Sequence, residues 1–136
     1  MKRLALVFSL WGATALARAP EQLYLHVEVH QQGRMVASPH VLGFEGHNII
    51  VEKKGLQRLL PDYRLVLSPR EQGAGYGVRF DLQFSTEQKR GQVALLHGEE
   101  RTIPLGSDLQ LKVMLLRVDS DEFRALVLRD PAPRSI

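Results

Sequence analysis

The sequence predicts an all-β fold, a small antiparallel β-sandwich of about eight or nine short strands. Three observations carry this. Leu23–His30 and Val78–Ser85 alternate apolar and polar residues with a period of two, the pattern of half-buried strands. Turn-forming residues at Gly33, Glu45-Gly46, Gly98 and Gly106-Ser107-Asp108 punctuate the apolar runs. Beyond the N-terminal stretch, no helical spacing persists for more than about two turns. A sandwich is preferred to a closed barrel because Pro39 and Pro104 fall inside expected strands. Proline has no N–H for a ladder, so it marks an edge, a bulge or a bend.

Met1–Ala17 has the order of a secretory leader. Lys2 and Arg3 precede the apolar run Leu4–Trp11, and Ala15-Leu16-Ala17 supplies a small-x-small cleavage site. The apolar stretch is short for a bilayer span, which takes about 20 residues; the alternative is an uncleaved N-terminal anchor. The expected organisation is a signal-peptide helix over 1–17, a sandwich over 18–128 and a flexible tail over 129–136. There is no cysteine, so the exported domain has no disulfides and cannot be a lipoprotein, whose lipid is carried on cysteine. A soluble periplasmic protein is the expectation. The formal charge is +3, but Lys2 and Arg3 leave with the leader, and a mature charge of about +1 exerts little long-range pull on nucleic acid.

Within the domain, Leu23–His30 is a strand with Leu23, Leu25, Val27 and Val29 on one face and Tyr24, His26, Glu28 and His30 on the other. Gln31–Arg34 is a turn. Met35–Phe44, interrupted by Pro39, pairs as a hairpin with His47–Glu52 around Glu45-Gly46. In Lys53–Asp62 the spacing of Leu56, Leu59 and Leu60 predicts one helical turn or an ordered loop. Tyr63–Ser68 and Val78–Ser85 are strands joined by a loose glycine-rich loop, Pro69–Gly77. Glu87–Gly91 is a polar turn. Gln92–His97 and Arg101–Leu105 form a second hairpin around Gly98, an echo of the first. Leu109–Val118 is the longest apolar strand, Asp119–Glu122 an acidic turn, and Ala125–Leu128 a last short strand. Val27, Phe80, Leu82, Leu111 and Val113 are expected in the core.

These residues support few chemistries. His26–Glu28 or Glu28–His30 could offer two ligands to zinc, since side chains two apart on a strand lie about 6–7 Å apart. Zinc needs three or four, so a third would have to come from His40, His47 or His97; a solvated polar face is the simpler reading, and no metal or cofactor is expected. Nucleophilic catalysis lacks a cysteine or a serine on a strand-to-helix elbow. The pair Glu99-Glu100 reads as a charged turn. Gly73–Gly77 lacks the Lys-Ser/Thr of a phosphate cradle, and Lys53, Lys54, Arg58 and Arg64 read as solvated surface. No enzyme activity is expected.

The segment V-A-S-P-H-V-L-G-F-E-G, Val36–Gly46, resembles a hairpin pattern of bacterial type II and type III secretion secretin domains, with Pro39, Val41 and Gly46 fitting P-x-V-x-x-x-x-G. The resemblance covers about 20 residues and implies an envelope module without a pore. The expected function is therefore an exported periplasmic binding module that meets a protein partner at the cell envelope, through the edge around Pro39, His40 and Val41. The alternatives are an inhibitor or immunity-type protein that plugs a hydrolase with the Pro69–Gly77 loop, and a metal-handling protein.

Overall fold

A computed structural model describes residues 19–53, 62–84 and 86–129. It is a sandwich of two antiparallel sheets. Strand β1 (Gln22–Gln31) turns at Gln32-Gly33 into β2 (Arg34–Ala37), which continues past Ser38-Pro39 as β3 (His40–Phe44). Both β2 and β3 pair with the same side of β1, so they are one strand with an irregularity. The register sets His26 opposite His40 and Val29 opposite Ala37, then slips by one residue before His30 and Met35 meet. The bulge thus lies at Val36 and not at Pro39. The chain next crosses to the second sheet as β4 (Ile49–Lys53), β5 (Tyr63–Gln72), β6 (Gly75–Phe84) and β7 (Glu87–Leu95). It returns to the first sheet as β8 (Glu100–Pro104) and β9 (Leu109–Arg117), and ends in helix α1 (Asp121–Arg129).

β9 pairs with β1 from Leu23↔Arg117 to Gln31↔Leu109, so the chain meanders once around its core and closes on its own first strand. Among the described residues the ring is laddered everywhere except at two corners, β3/β4 and β7/β8, where the sheets touch without pairing. Both glycine turns that suggested hairpins are these corners. Gly46 and Gly98 have φ of 80° and 79°, a left-handed conformation that glycine adopts without steric cost. The two turns share this backbone chemistry, and each carries the chain from one sheet to the other. The expected hairpins fail because each apolar run finds a better buried partner, β1 for β3 and β9 for β8.

Leu23, Leu25, Val27 and Val29 of β1, Leu65 and Leu67 of β5, Val78, Phe80, Leu82 and Phe84 of β6, and Leu109, Leu111, Val113 and Leu115 of β9 fill the interior. All five expected core residues are buried. Tyr76 of β6 ties the second sheet to the first: its hydroxyl donates to Glu21, and Arg117 Nε of β9 donates to the same hydroxyl at 2.8 Å. Burial, and then the Glu21 hydrogen bond, hold the Tyr76 phenol above its ordinary value.

Three further expectations are corrected. The Pro69–Gly77 loop is strand on both sides of a two-residue Gly73-Ala74 turn, with Pro69 opposite Val78. Glu87–Gly91 is the first half of β7, a polar edge strand. Its inward position at Gly91 is filled by the Phe80 ring, which a Cβ there would meet at 2.5 Å, so no apolar alternation was needed in the sequence. Ala125–Leu128 is helical. Ser120 caps that helix, its Oγ accepting the Phe123 N–H at 3.2 Å, with Asp121 and Glu122 in the first turn. The expected turn within Lys53–Asp62 falls mostly on 54–61, and the leader and the tail from 130 fall on 1–17 and 130–136; all lie outside the described residues.

Candidate functional site

The outer face of the first sheet collects the chain's polar chemistry. His26 and His40 are directly opposite, and their rings stack with centroids 4.1 Å apart and an interplanar angle of 6°. The Tyr24 hydroxyl lies 2.5 Å from His40 Nδ1, and Ser38 Oγ lies 2.9 Å from His26 Nε2. Burial first, then the neighbouring His40, hold the His26 imidazole below its ordinary value. The Phe123 ring of α1 covers Tyr24 at 5.5 Å. Further along, Lys112 sits between Glu100 at 3.1 Å and Glu28 at 3.8 Å, and Glu28 also reaches His30 at 3.6 Å.

Sequence reasoning placed no histidine near Ser38, because the contact depends on β2 and β3 returning alongside β1. A serine beside a neutral histidine is one element of acyl-transfer chemistry, which also needs an acid to orient the base and donors for the oxyanion. Among the described residues no hydrogen bond joins His26 to a carboxylate. The zinc candidates separate: His40 joins His26, but His47 packs against Phe44 and His97 pairs with Glu122 at 3.0 Å. Among the described residues, no three His, Cys, Asp or Glu are placed to hold a metal ion.

The backbone of β3 decides what its edge can do. Glu45 N–H donates to Glu21 carbonyl at 2.8 Å, and Val27 N–H donates to Pro39 carbonyl at 3.0 Å. With the register Leu25↔Val41, these bonds fix the alternation: 39, 41, 43 and 45 aim their backbone groups at β1. His40, Leu42 and Phe44 therefore aim theirs away from it. The same three residues carry the outward, exposed side chains, with Leu42 at 55% and Phe44 at 46% relative exposure. Val41 is the reverse on both counts, since its side chain packs against the core. The N–H that Pro39 lacks would have pointed at β1, so the proline leaves the outward edge intact. The corner is closed from the side by Ile49, whose Cδ1 lies 2.3 Å from where a Cβ on Gly43 would stand.

No known family, no curated protein and no solved structure matches this chain. The site is therefore read from its own residues. Of the expected edge residues, His40 is on the accessible edge, Pro39 contributes only a carbonyl turned inward, and Val41 belongs to the core side. Leu42 and Phe44 share the outward face with His40 and were not singled out from the sequence. Their signal was present in the strict alternation with Val41 and Gly43, but which face points outward is set by the register with β1. Met35 on β2 and Ile50 on β4 are also exposed apolar residues, each at 56%.

Proposed function

We propose that this protein is an exported binding module without catalytic activity, which takes up an extended segment of a protein partner at the cell envelope by strand addition to β3. The observation that carries the reading is the coincidence, at His40, Leu42 and Phe44, of outward backbone groups with exposed, uncharged side chains. Main-chain hydrogen bonds supply affinity in this mode, and alternate side chains supply selectivity. Natural sheets normally blunt such an edge with charge, proline or a covering element. Between Met35 and Phe44 there is no formally charged residue. The leader-like order of Met1–Ala17 and the likeness of Val36–Gly46 to secretin hairpins support the envelope as the setting. The inhibitor reading loses its main feature, because Pro69–Gly77 is a hairpin with a two-residue turn.

The test is site-specific photo-crosslinking in cells, with a photoreactive residue at position 42 or 44 and, as control, at Thr102 on the opposite edge. Crosslinks confined to 42 and 44, and lost when Leu42→Lys is combined with the probe at 44, are expected. Equal crosslinking at Thr102, or none at 42 and 44, would remove β3 as the binding edge.

A further inference from the structure

We infer that the strand seated on β3 is β3 of a second copy, so that the protein forms a two-fold dimer with one continuous sheet across both molecules. This deepens the strand-addition reading above and rests on it. The argument begins with alternation. An antiparallel strand centred on Leu42 places Leu42 opposite its own counterpart, and His40 opposite Phe44 of the other copy in both directions. The three residues that meet are the three whose backbone groups point away from β1. The outward sequence polar-ring, aliphatic, aromatic-ring is thus complementary to itself when reversed. Every outward N–H of one copy finds a carbonyl in the other. The Phe44 carbonyl also accepts the His47 N–H at 3.1 Å, and its second lone pair remains for the ladder.

Charge permits the same occupant. A highly acidic or basic strand gains nothing from an edge with no formal charge from Met35 to Phe44. A second copy brings no like charges into opposition there, whereas any charged residue at 42 would oppose itself across the axis. An isologous contact of this kind is the commonest symmetry of soluble oligomers. The ladder is short, because the chain turns away at Glu45-Gly46, so the dimer should be weak, with a dissociation constant on the order of micromolar or above.

The experiment is sedimentation velocity on protein purified from expression of the full chain, over a range of concentrations. The chain itself should show a monomer–dimer equilibrium. Leu42→Lys and Leu42→Glu alone should each weaken it by roughly tenfold or more, because like charges then face each other across the axis. An equimolar mixture of the two variants should restore dimer as a heterodimer, since opposite charges now meet. Thermal unfolding of each variant checks that it remains folded. Three results overturn the inference: a chain that is monomeric throughout, variants that dimerise unchanged, or a mixture that stays monomeric. If the chain is monomeric while the crosslinks at 42 and 44 go to a different envelope protein, strand addition survives and the second copy is ruled out.

Discussion

The two edges of the first sheet are built in opposite ways. At β8 the outward positions, fixed by the Leu105 N–H to Leu109 carbonyl bond at 2.7 Å and the register with β9, are Glu100, Thr102 and Pro104. Glu100 is held by Lys112 at 3.1 Å, and Pro104 has no N–H to offer at the position where a partner strand would need one. At β3 the equivalent positions are His40, Leu42 and Phe44, with all three donors present and no formal charge. Each edge contains one proline. In β8 it falls on the outward phase and blocks the edge; in β3 it falls on the inward phase and does not. The lesson is that a proline's residue number says less than its phase. Moving a proline by one position would exchange a protected edge for an open one.

The largest expected effect is a control common to both edges. Leu111→Ala empties a fully buried site on β9, and chemical denaturation should show a loss of about 2–5 kcal/mol. Both edges depend on that core, so a loss below about 0.5 kcal/mol would mean that the sandwich is not packed as described. Next comes a pair of neighbours on β3. Val41→Lys drives a charge toward the core, and should cost about 2 kcal/mol or more even where the lysine stem can reach outward. Leu42→Lys, one residue on, should change stability by less than about 0.5 kcal/mol. If the two variants unfold alike, the inward and outward phases assigned to β3 are wrong.

The contrast can also be broken from the guarded side. Replacing both Glu100 and Pro104 by valine gives β8 an uncharged outward face and restores a donor. The double variant should associate into species larger than dimers, because each molecule then has two open edges, and light scattering would show the growth. A double variant that keeps the parent's association state would mean that charge and proline are not what protects β8.

These phases also set the limits of what the sequence could reveal. The alternation at Leu23–His30 and Val78–Ser85 was enough for strands, core and fold class, because inward residues there are apolar without exception. The prolines correctly marked edges, and Pro39 drew attention to the open one. Val41 was singled out although its side chain packs against the core, because the outward phase depends on pairing with β1, a long-range fact. The corners at Gly46 and Gly98 looked like hairpins for the same reason: a left-handed glycine turn has one local signature whether the next strand joins the same sheet or the other. The Ser38–His26 and His26–His40 contacts follow from that register too, and Ser120 was the overlooked local signal for α1.

The smallest expected effect concerns how firmly the open edge is held to its neighbour. His26 and His40 stack across the β1–β3 pair, and among the described residues no stacked ring pair joins β8 to β9. The groups facing His26 are His40 and Ser38 from the edge, Tyr24 and Glu28 on its own strand, and Lys112 with Glu100 beyond. Burial and His40 lower its pKa from 6.5, against the smaller raising influence of Glu28 and Glu100. A group with a depressed pKa in the folded state binds its proton more readily when unfolded. As pH falls below about 6.5, the unfolded chain takes up that proton first, and stability declines until the folded pKa is passed. Glu122, whose carboxyl is held below its ordinary value by His97, contributes in a separate window. Its stabilisation is present above the ordinary carboxylate pKa and is lost only as pH falls through the lowered one. The expected outcome is a modest fall in unfolding free energy between neutral and mildly acidic pH that His26→Gln removes, with the carboxylate-range fall left in place. Amide exchange should locate it, with protection in β3 falling over that window while β8 holds its own. A wild-type curve that parallels the His26→Gln curve from pH 7 to 5 would show that the stacked pair does not couple the edge to protonation.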